Sequence, residues 1–87
     1  SDSTENIIKF LTKNSFQIIL MDPDCEKLIN NFKPENNFAL VIGSEQYGIS
    51  PKWFESKSTK LKINSLNDVD SINASTAAAI AMWELLR

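Results

Sequence analysis

Apolar and polar positions along this chain fall into blocks whose period changes from that of a helix to that of a strand and back. Ile7, Ile8, Phe10 and Leu11 form an apolar stripe behind Ser3 and Thr4, either of which can cap a short first helix. Lys13 suits the negative C-terminal end of that helix, and Asn14 is its expected left-handed stop. Phe16 to Met21 is apolar except for Gln17 and is closed by Asp22-Pro23, which predicts a strand covered on both faces. Between Asp24 and Asn37 the pattern weakens around Leu28, Ile29 and Phe32, and Pro34 opposes a long helix. A loop with one helical turn is expected there. Phe38-Ala39-Leu40-Val41-Ile42 is apolar at every position and stops at Gly43, so this strand is expected at the centre of the sheet. Ser50-Pro51 reads as an N-cap followed by proline at the first helical position, opening a short helix over Lys52 to Ser56. Thr59 to Ile63 alternates, Leu61 and Ile63 on one face and Lys60 and Lys62 on the other, predicting a half-exposed strand. Asn64 to Asp70 is a polar loop, and Ser71 can cap a last helix over Ile72 to Leu86. Ala74, Ala77, Ala78 and Ala81 give that helix a small-residue face, while Ile80, Met82, Trp83 and Leu86 give it bulky ones. Burial on several sides is expected.

The order helix, strand, strand, helix, strand, helix predicts an α/β fold, a parallel sheet with flanking helices. At 87 residues, without an internal repeat or linker, the chain makes one domain over residues 1–87. A composition of 43% hydrophobic and 23% charged residues, with two Gly and three Pro, excludes a disordered or collagenous chain. The formal net charge of -2 lacks the basic excess of an autonomous nucleic-acid binder, so any RNA contact has to be local. One cysteine and no histidine exclude an internal disulfide, a Cys/His zinc site and a histidine general base, and no metal is expected. No apolar run is long enough to cross a bilayer, and Ser1 to Glu5 lacks the features of a signal peptide. A cytoplasmic protein with no membrane contact is expected. The first residue is not Met, so the natural protein is expected to begin further upstream.

Ligands of open parallel sheets collect beyond the carboxyl ends of the strands, which here means Met21-Asp22, Gly43 to Gly48, and Ile63 to Asp70. Gly43 lets backbone pass close to a ligand and Gly48 permits a positive φ, so Gly43-Ser44-Glu45-Gln46-Tyr47-Gly48 can offer amides to a polar ligand. The segment lacks the lysine of a P-loop and the three glycines of a dinucleotide site. The plainer reading is a glycine-terminated strand followed by a turn with a solvated Glu45.

Two segments carry a more specific signal. Ala39-Leu40-Val41-Ile42-Gly43-Ser44-Glu45-Gln46-Tyr47-Gly48-Ile49-Ser50 resembles the second motif of the SpoU family of RNA ribose methyltransferases, within the SPOUT superfamily. Asp70-Ser71-Ile72-Asn73-Ala74-Ser75-Thr76-Ala77-Ala78-Ala79 resembles that family's third motif, and Trp83-Glu84 its aromatic-Glu ending. The likeness is close over Phe38 to Leu86 and loose over the rest. Asn64 stands where the family commonly has Pro, and Ile72 where it has Leu. The family's first motif, which supplies an Asn and an Arg, has no counterpart here, the only Arg being Arg87. The resemblance therefore implies the C-terminal, trefoil-knot half of a SPOUT methyltransferase domain, the part that binds cofactor. The implied activity is 2′-O-methylation of tRNA or rRNA ribose with S-adenosyl-L-methionine as cofactor and a homodimer as the working form. Carried over residue by residue, the resemblance makes Gly43, Ile63 and Ile72 cofactor-binding. It associates Glu45, Ser71 and Asn73 with catalysis or active-site architecture. Glu45 can orient the Arg that is missing here, and Asn73 can bond the loop or the substrate.

Structural roles compete at each position. Ser71 can cap the last helix, Asn73 can satisfy its first-turn amides, and Glu45 can sit in a solvated turn. Trp53, Phe54 and Trp83 read as core or interface rather than stacking platforms, and Cys25 as a thiol without a role. Lys52, Lys57, Lys60 and Lys62 can meet phosphate or form a solvated basic face. The competing functions are a non-catalytic dimerisation or RNA-interaction module that retains the fold, and a bare α/β nucleotide binder.

Overall fold

The computed structural model describes residues 2–35, 37–44, 46–63 and 74–86. The elements run α1 (Asp2–Lys13), β1 (Gln17–Met21), a 3-10 turn (Ile29–Asn31), β2 (Phe38–Val41), α2 (Pro51–Glu55), β3 (Thr59–Leu61) and α3 (Ala74–Leu86). The three strands form one parallel sheet in the order β2-β1-β3, with Ile18 opposite Ala39 and Leu20 opposite both Val41 and Lys60. The predicted α/β class and parallel sheet hold. The predicted centre does not, because β1 is the middle strand and β2 lies at the edge of the described sheet. Burial follows that order. Ile18, Ile19, Leu20 and Met21 of β1 are buried, whereas all four residues of β2 are half-buried.

Alternation along β1 divides the interior into two layers. Ile19, Met21, Leu61 and Ile29 pack with Ala81 and Leu85 of α3 on one face. Ile18 and Leu20 pack with Leu11 on the other, joined by Ile8, Phe16, Ile49 and Trp53. The weakly patterned stretch after β1 thus contributes a core residue, Ile29, through one short helical turn, as expected. Beyond β3, the Ile29 amide donates to the Lys62 carbonyl at 2.8 Å and the Lys62 amide to the Lys27 carbonyl at 2.9 Å. The segment around Leu28 therefore lies beside the carboxyl end of β3 as a parallel bridge.

Three local expectations are corrected. The left-handed residue after α1 is Ser15, with φ 62°, and not Asn14. Both the backbone and the side-chain amides of Asn14 donate to the Phe10 carbonyl, at 3.1 and 2.8 Å, which keeps that residue within the helical turn. At α2, Pro51 occupies the first turn as predicted, but the Ser50 side chain makes no capping bond; its carbonyl accepts from the Trp53 amide at 3.0 Å. In α3, Ala81 and Leu85 are buried while Met82, Trp83 and Leu86 are exposed, so among the described side chains the helix covers one side and not several. The loop expected over Asn64 to Asp70 and the start of the last helix at Ser71, Ile72 and Asn73 lie outside the described residues.

Candidate functional site

Parallel strands end together, so the three chain segments that leave β1, β2 and β3 emerge at one edge of the sheet. Gly43 follows β2 and Ile63 follows β3, on either side of Asp22 after β1, which places the outer two at two strand spacings, about 10 Å. Asp22 anchors the middle exit: its amide donates to the Leu61 carbonyl at 2.8 Å, and its carboxylate accepts from the Asp24 amide at 3.0 Å. Ile42 and Ile63 are both half-buried against the core layer under α3, so the edge has an apolar floor on that side.

The loop after β2 closes on itself. Ser44 and Gly48 exchange backbone hydrogen bonds of 3.3 and 2.9 Å, and the Ser44 hydroxyl accepts from the Tyr47 amide at 2.9 Å. Gly48 turns the chain with φ 72°, as its place in the sequence predicted. Gly43 has a steric reason inside the loop, for a Cβ there would lie 2.5 Å from the Gly48 carbonyl carbon and 2.6 Å from the Ile49 amide nitrogen. Real Cβ atoms do not approach backbone so closely, so glycine at this position is what allows the closure. The signal was present in the sequence as two glycines flanking four residues, in a chain that has no others.

Of the predicted site residues, the structure brings Gly43 and Ile63 to this common edge. Glu45, Ser71, Ile72 and Asn73 lie outside the described residues. Two of the four lysines hold structural positions: the Lys52 ammonium is 3.6 Å from the Glu5 carboxylate, and the Lys60 ammonium sits 5.8 Å from the centre of the Phe54 ring. Trp53 packs into the layer under α1, one of the two roles expected of it, whereas Trp83 is 71% exposed, which excludes a core position and leaves the interface reading. Cys25 is half-buried, with its sulfur 3.7 Å from the Lys27 carbonyl. Tyr47, not singled out from the sequence, stands 82% exposed on the closed loop.

A separate open groove of about 930 Å³ runs along the free side of β2, between Phe38, Leu40 and Ile42 and the α3 residues Ala78, Met82 and Leu85. Among the described residues that line it, Ile42 is the one next to the carboxyl edge. Among the described residues no group of three or more His, Cys, Asp or Glu side chains gathers as a metal site, and no helix is long and apolar enough to cross a membrane.

The model of the SpoU rRNA methylase family matches residues 1–83 of this chain. A protein of Staphylococcus aureus strain COL assigned to the TrmH family of tRNA/rRNA methyltransferases is 31% identical over 77 residues, which cover 88% of this chain and 31% of the relative. The chain thus spans about a third of the length of the curated relatives it matches. Among solved structures, an RNA 2′-O ribose methyltransferase superposes with a TM-score of 0.83 at 24% identity, over 95% of this chain and 32% of that one. A protein from Bacillus anthracis described as an RNA methyltransferase superposes with a TM-score of 0.68 at 29% identity, over 90% of this chain and 52% of that one.

Proposed function

Because the chain belongs to the SpoU rRNA methylase family, we propose that it is the cofactor-binding part of an S-adenosyl-L-methionine-dependent RNA 2′-O-ribose methyltransferase. The observation that carries this reading is the convergence of three parallel strand ends at Gly43, Asp22 and Ile63, in a chain whose match to the family runs from residue 1 to 83. The residues present suit the cofactor. Ile42 and Ile63 leave half-buried apolar surface at the edge, and a flat adenine can lie on such a surface while its nitrogens bond to backbone. Gly43 contributes by keeping the β2 exit low and closed beneath that surface, with Ile72 as a further apolar wall. When bound, the cofactor supplies an electrophilic methyl group.

The chain's own residues then hold and orient. Glu45 orients a cationic partner by a charge-assisted hydrogen bond. By the family resemblance, Asn73 is assigned to bonding the loop or the ribose, and Ser71 to active-site architecture compatible with capping the last helix. By the same resemblance, activation of the ribose hydroxyl is assigned to the Arg of the first motif, which has no counterpart in these 87 residues. A homodimer is the proposed working form, supported by the exposed Met82, Trp83 and Leu86 on α3; a trefoil knot and a cytoplasmic location are what the family resemblance implies.

The test is transfer of a tritiated methyl group to unfractionated tRNA and rRNA by the full-length protein, followed by alkaline hydrolysis. A 2′-O-methyl group removes the nucleophile that alkali uses, so the label is expected in alkali-resistant dinucleotides. Label in mononucleotides would mean base methylation, and no label at all would favour the non-catalytic module.

A further inference from the structure

Apart from Tyr47, the large hydrophobic side chains exposed among the described residues lie on helices: Ile7 and Phe10 on α1, Phe54 on α2, and Met82, Trp83 and Leu86 on α3. Tyr47 stands on a loop, at the ligand end of the sheet. Its exposure is 82%, yet the loop that carries it is closed by two backbone hydrogen bonds and by the bond from the Tyr47 amide to the Ser44 hydroxyl. A ring held out on fixed backbone has already lost part of the freedom that binding would otherwise cost.

What surrounds the ring indicates its partner. Ser44, Gln46, Gly48 and Ser50 are all exposed and polar or bare, so among the described residues of this loop no exposed apolar side chain adjoins Tyr47. A protein interface builds its hot spots inside a continuous, water-excluding apolar area, and the described residues of the loop form none around Tyr47. A single flat aromatic with a polar rim is instead the platform on which an unstacked nucleobase lies, the ring taking the π-face and the rim taking polar edges or phosphate. Since the chain carries a formal net charge of -2, a mostly electrostatic hold on RNA is weak, and stacking at a few positions has to contribute more.

We propose that Tyr47 is a stacking platform for a nucleobase of single-stranded RNA at the carboxyl edge of the sheet. This rests on the RNA methyltransferase reading above. The ring contributes to RNA binding by its π-face, independently of base identity.

Anisotropy of a fluorescein-labelled oligouridylate of twelve nucleotides, titrated with the full-length protein, tests this for wild type, Tyr47→Ala, Tyr47→Trp and Phe10→Ala. Calorimetric titration of S-adenosyl-L-methionine and thermal melting run alongside. Tyr47→Ala is expected to bind the RNA roughly tenfold more weakly, the usual loss of one base stack. Tyr47→Trp should bind as wild type does, because it keeps the aromatic face. Phe10→Ala removes an aromatic that is 60% exposed on α1 and should leave RNA binding unchanged. Cofactor affinity and melting temperature should be the same in all four. Equal RNA binding by wild type and Tyr47→Ala overturns the proposal while leaving the methyltransferase reading standing. So does a loss shared by Phe10→Ala, or one that appears in cofactor affinity instead. A wild-type protein that neither binds RNA nor transfers methyl defeats the function reading itself, and with it this one.

Discussion

The two glycines of the chain illustrate how one residue type answers two different demands five positions apart. Gly48 sits at φ 72° with none of the described residues within 4 Å of where a Cβ would be, so against them alanine meets only the left-handed backbone penalty, about 1–2 kcal/mol. Gly43 has no positive φ but faces Gly48 backbone at 2.5 Å from its would-be Cβ, and backbone cannot rotate aside as a side chain can. Gly43→Ala therefore has to open the loop or shift β2, and it is expected to destabilise more than Gly48→Ala, at the upper end of the roughly 1–3 kcal/mol seen for overpacking. Urea titration of both variants decides this, and a larger loss for Gly48→Ala would show that the loop can open at little cost. From the sequence, Gly43 reads as room for a ligand, because a glycine after an apolar strand is compatible with any close approach. Which neighbour comes close depends on the loop path, which is fixed by the Ser44–Gly48 pairing; the two glycines mark that a turn forms but not that its backbone returns onto Gly43.

At the scale of elements, α1 ends in a Schellman arrangement. The Ser15 amide bonds to the Thr12 carbonyl at 3.2 Å and the Phe16 amide to the Leu11 carbonyl at 2.9 Å, while Leu11 and Phe16 pack in the same apolar layer. The motif needs a left-handed residue at position 15, and serine is a poor one, so Ser15→Gly is expected to stabilise the protein by about 1 kcal/mol. An unchanged or lowered denaturation midpoint would mean that the serine hydroxyl compensates for its backbone strain. Composition pointed to Asn14, since asparagine visits that conformation more readily than serine does. Register decided otherwise, because the apolar Leu11–Phe16 contact closes only if the turn falls at residue 15. The order of the strands was hidden for a related reason. An apolar run such as Phe38 to Ile42 reports that both faces of a strand are covered, not that both edges are paired. Thus β2 reads as central although it is an edge of the described sheet, while β1, which carries the polar Gln17, is central. Gln17 fits because it opens the strand, where its side-chain oxygen accepts from the Glu35 amide at 3.3 Å. What alternation does encode came through: Leu61 is buried and Lys60 exposed on the two faces of β3.

For the whole molecule, the balance of covered and uncovered apolar surface on α3 is the fact that reaches beyond the chain. Ala81 and Leu85 are buried at 0% and 3% exposure and pack on the core layer. Leu86 lies four residues after Met82 and three after Trp83, so it neighbours both on the helix surface, and the three are 66%, 39% and 71% exposed in that order. Three bulky side chains together on one side of the helix are the anchors that the proposed homodimer would use. A homodimer through this face is therefore expected, and Trp83→Lys is the substitution that separates interface from core. Lysine is as good a helix former as tryptophan or better, and position 83 is mostly in water within one chain, so a monomer would tolerate the change. Across a dimer contact the same ammonium would be buried without a partner and the assembly would part. Wild-type protein is expected to sediment as a dimer at micromolar concentration, with a melting temperature that rises with concentration by mass action. Trp83→Lys should sediment as a monomer whose melting temperature is independent of concentration. If both proteins sediment as monomers and melt alike at every concentration, α3 is not the dimer contact and its exposed face has another partner.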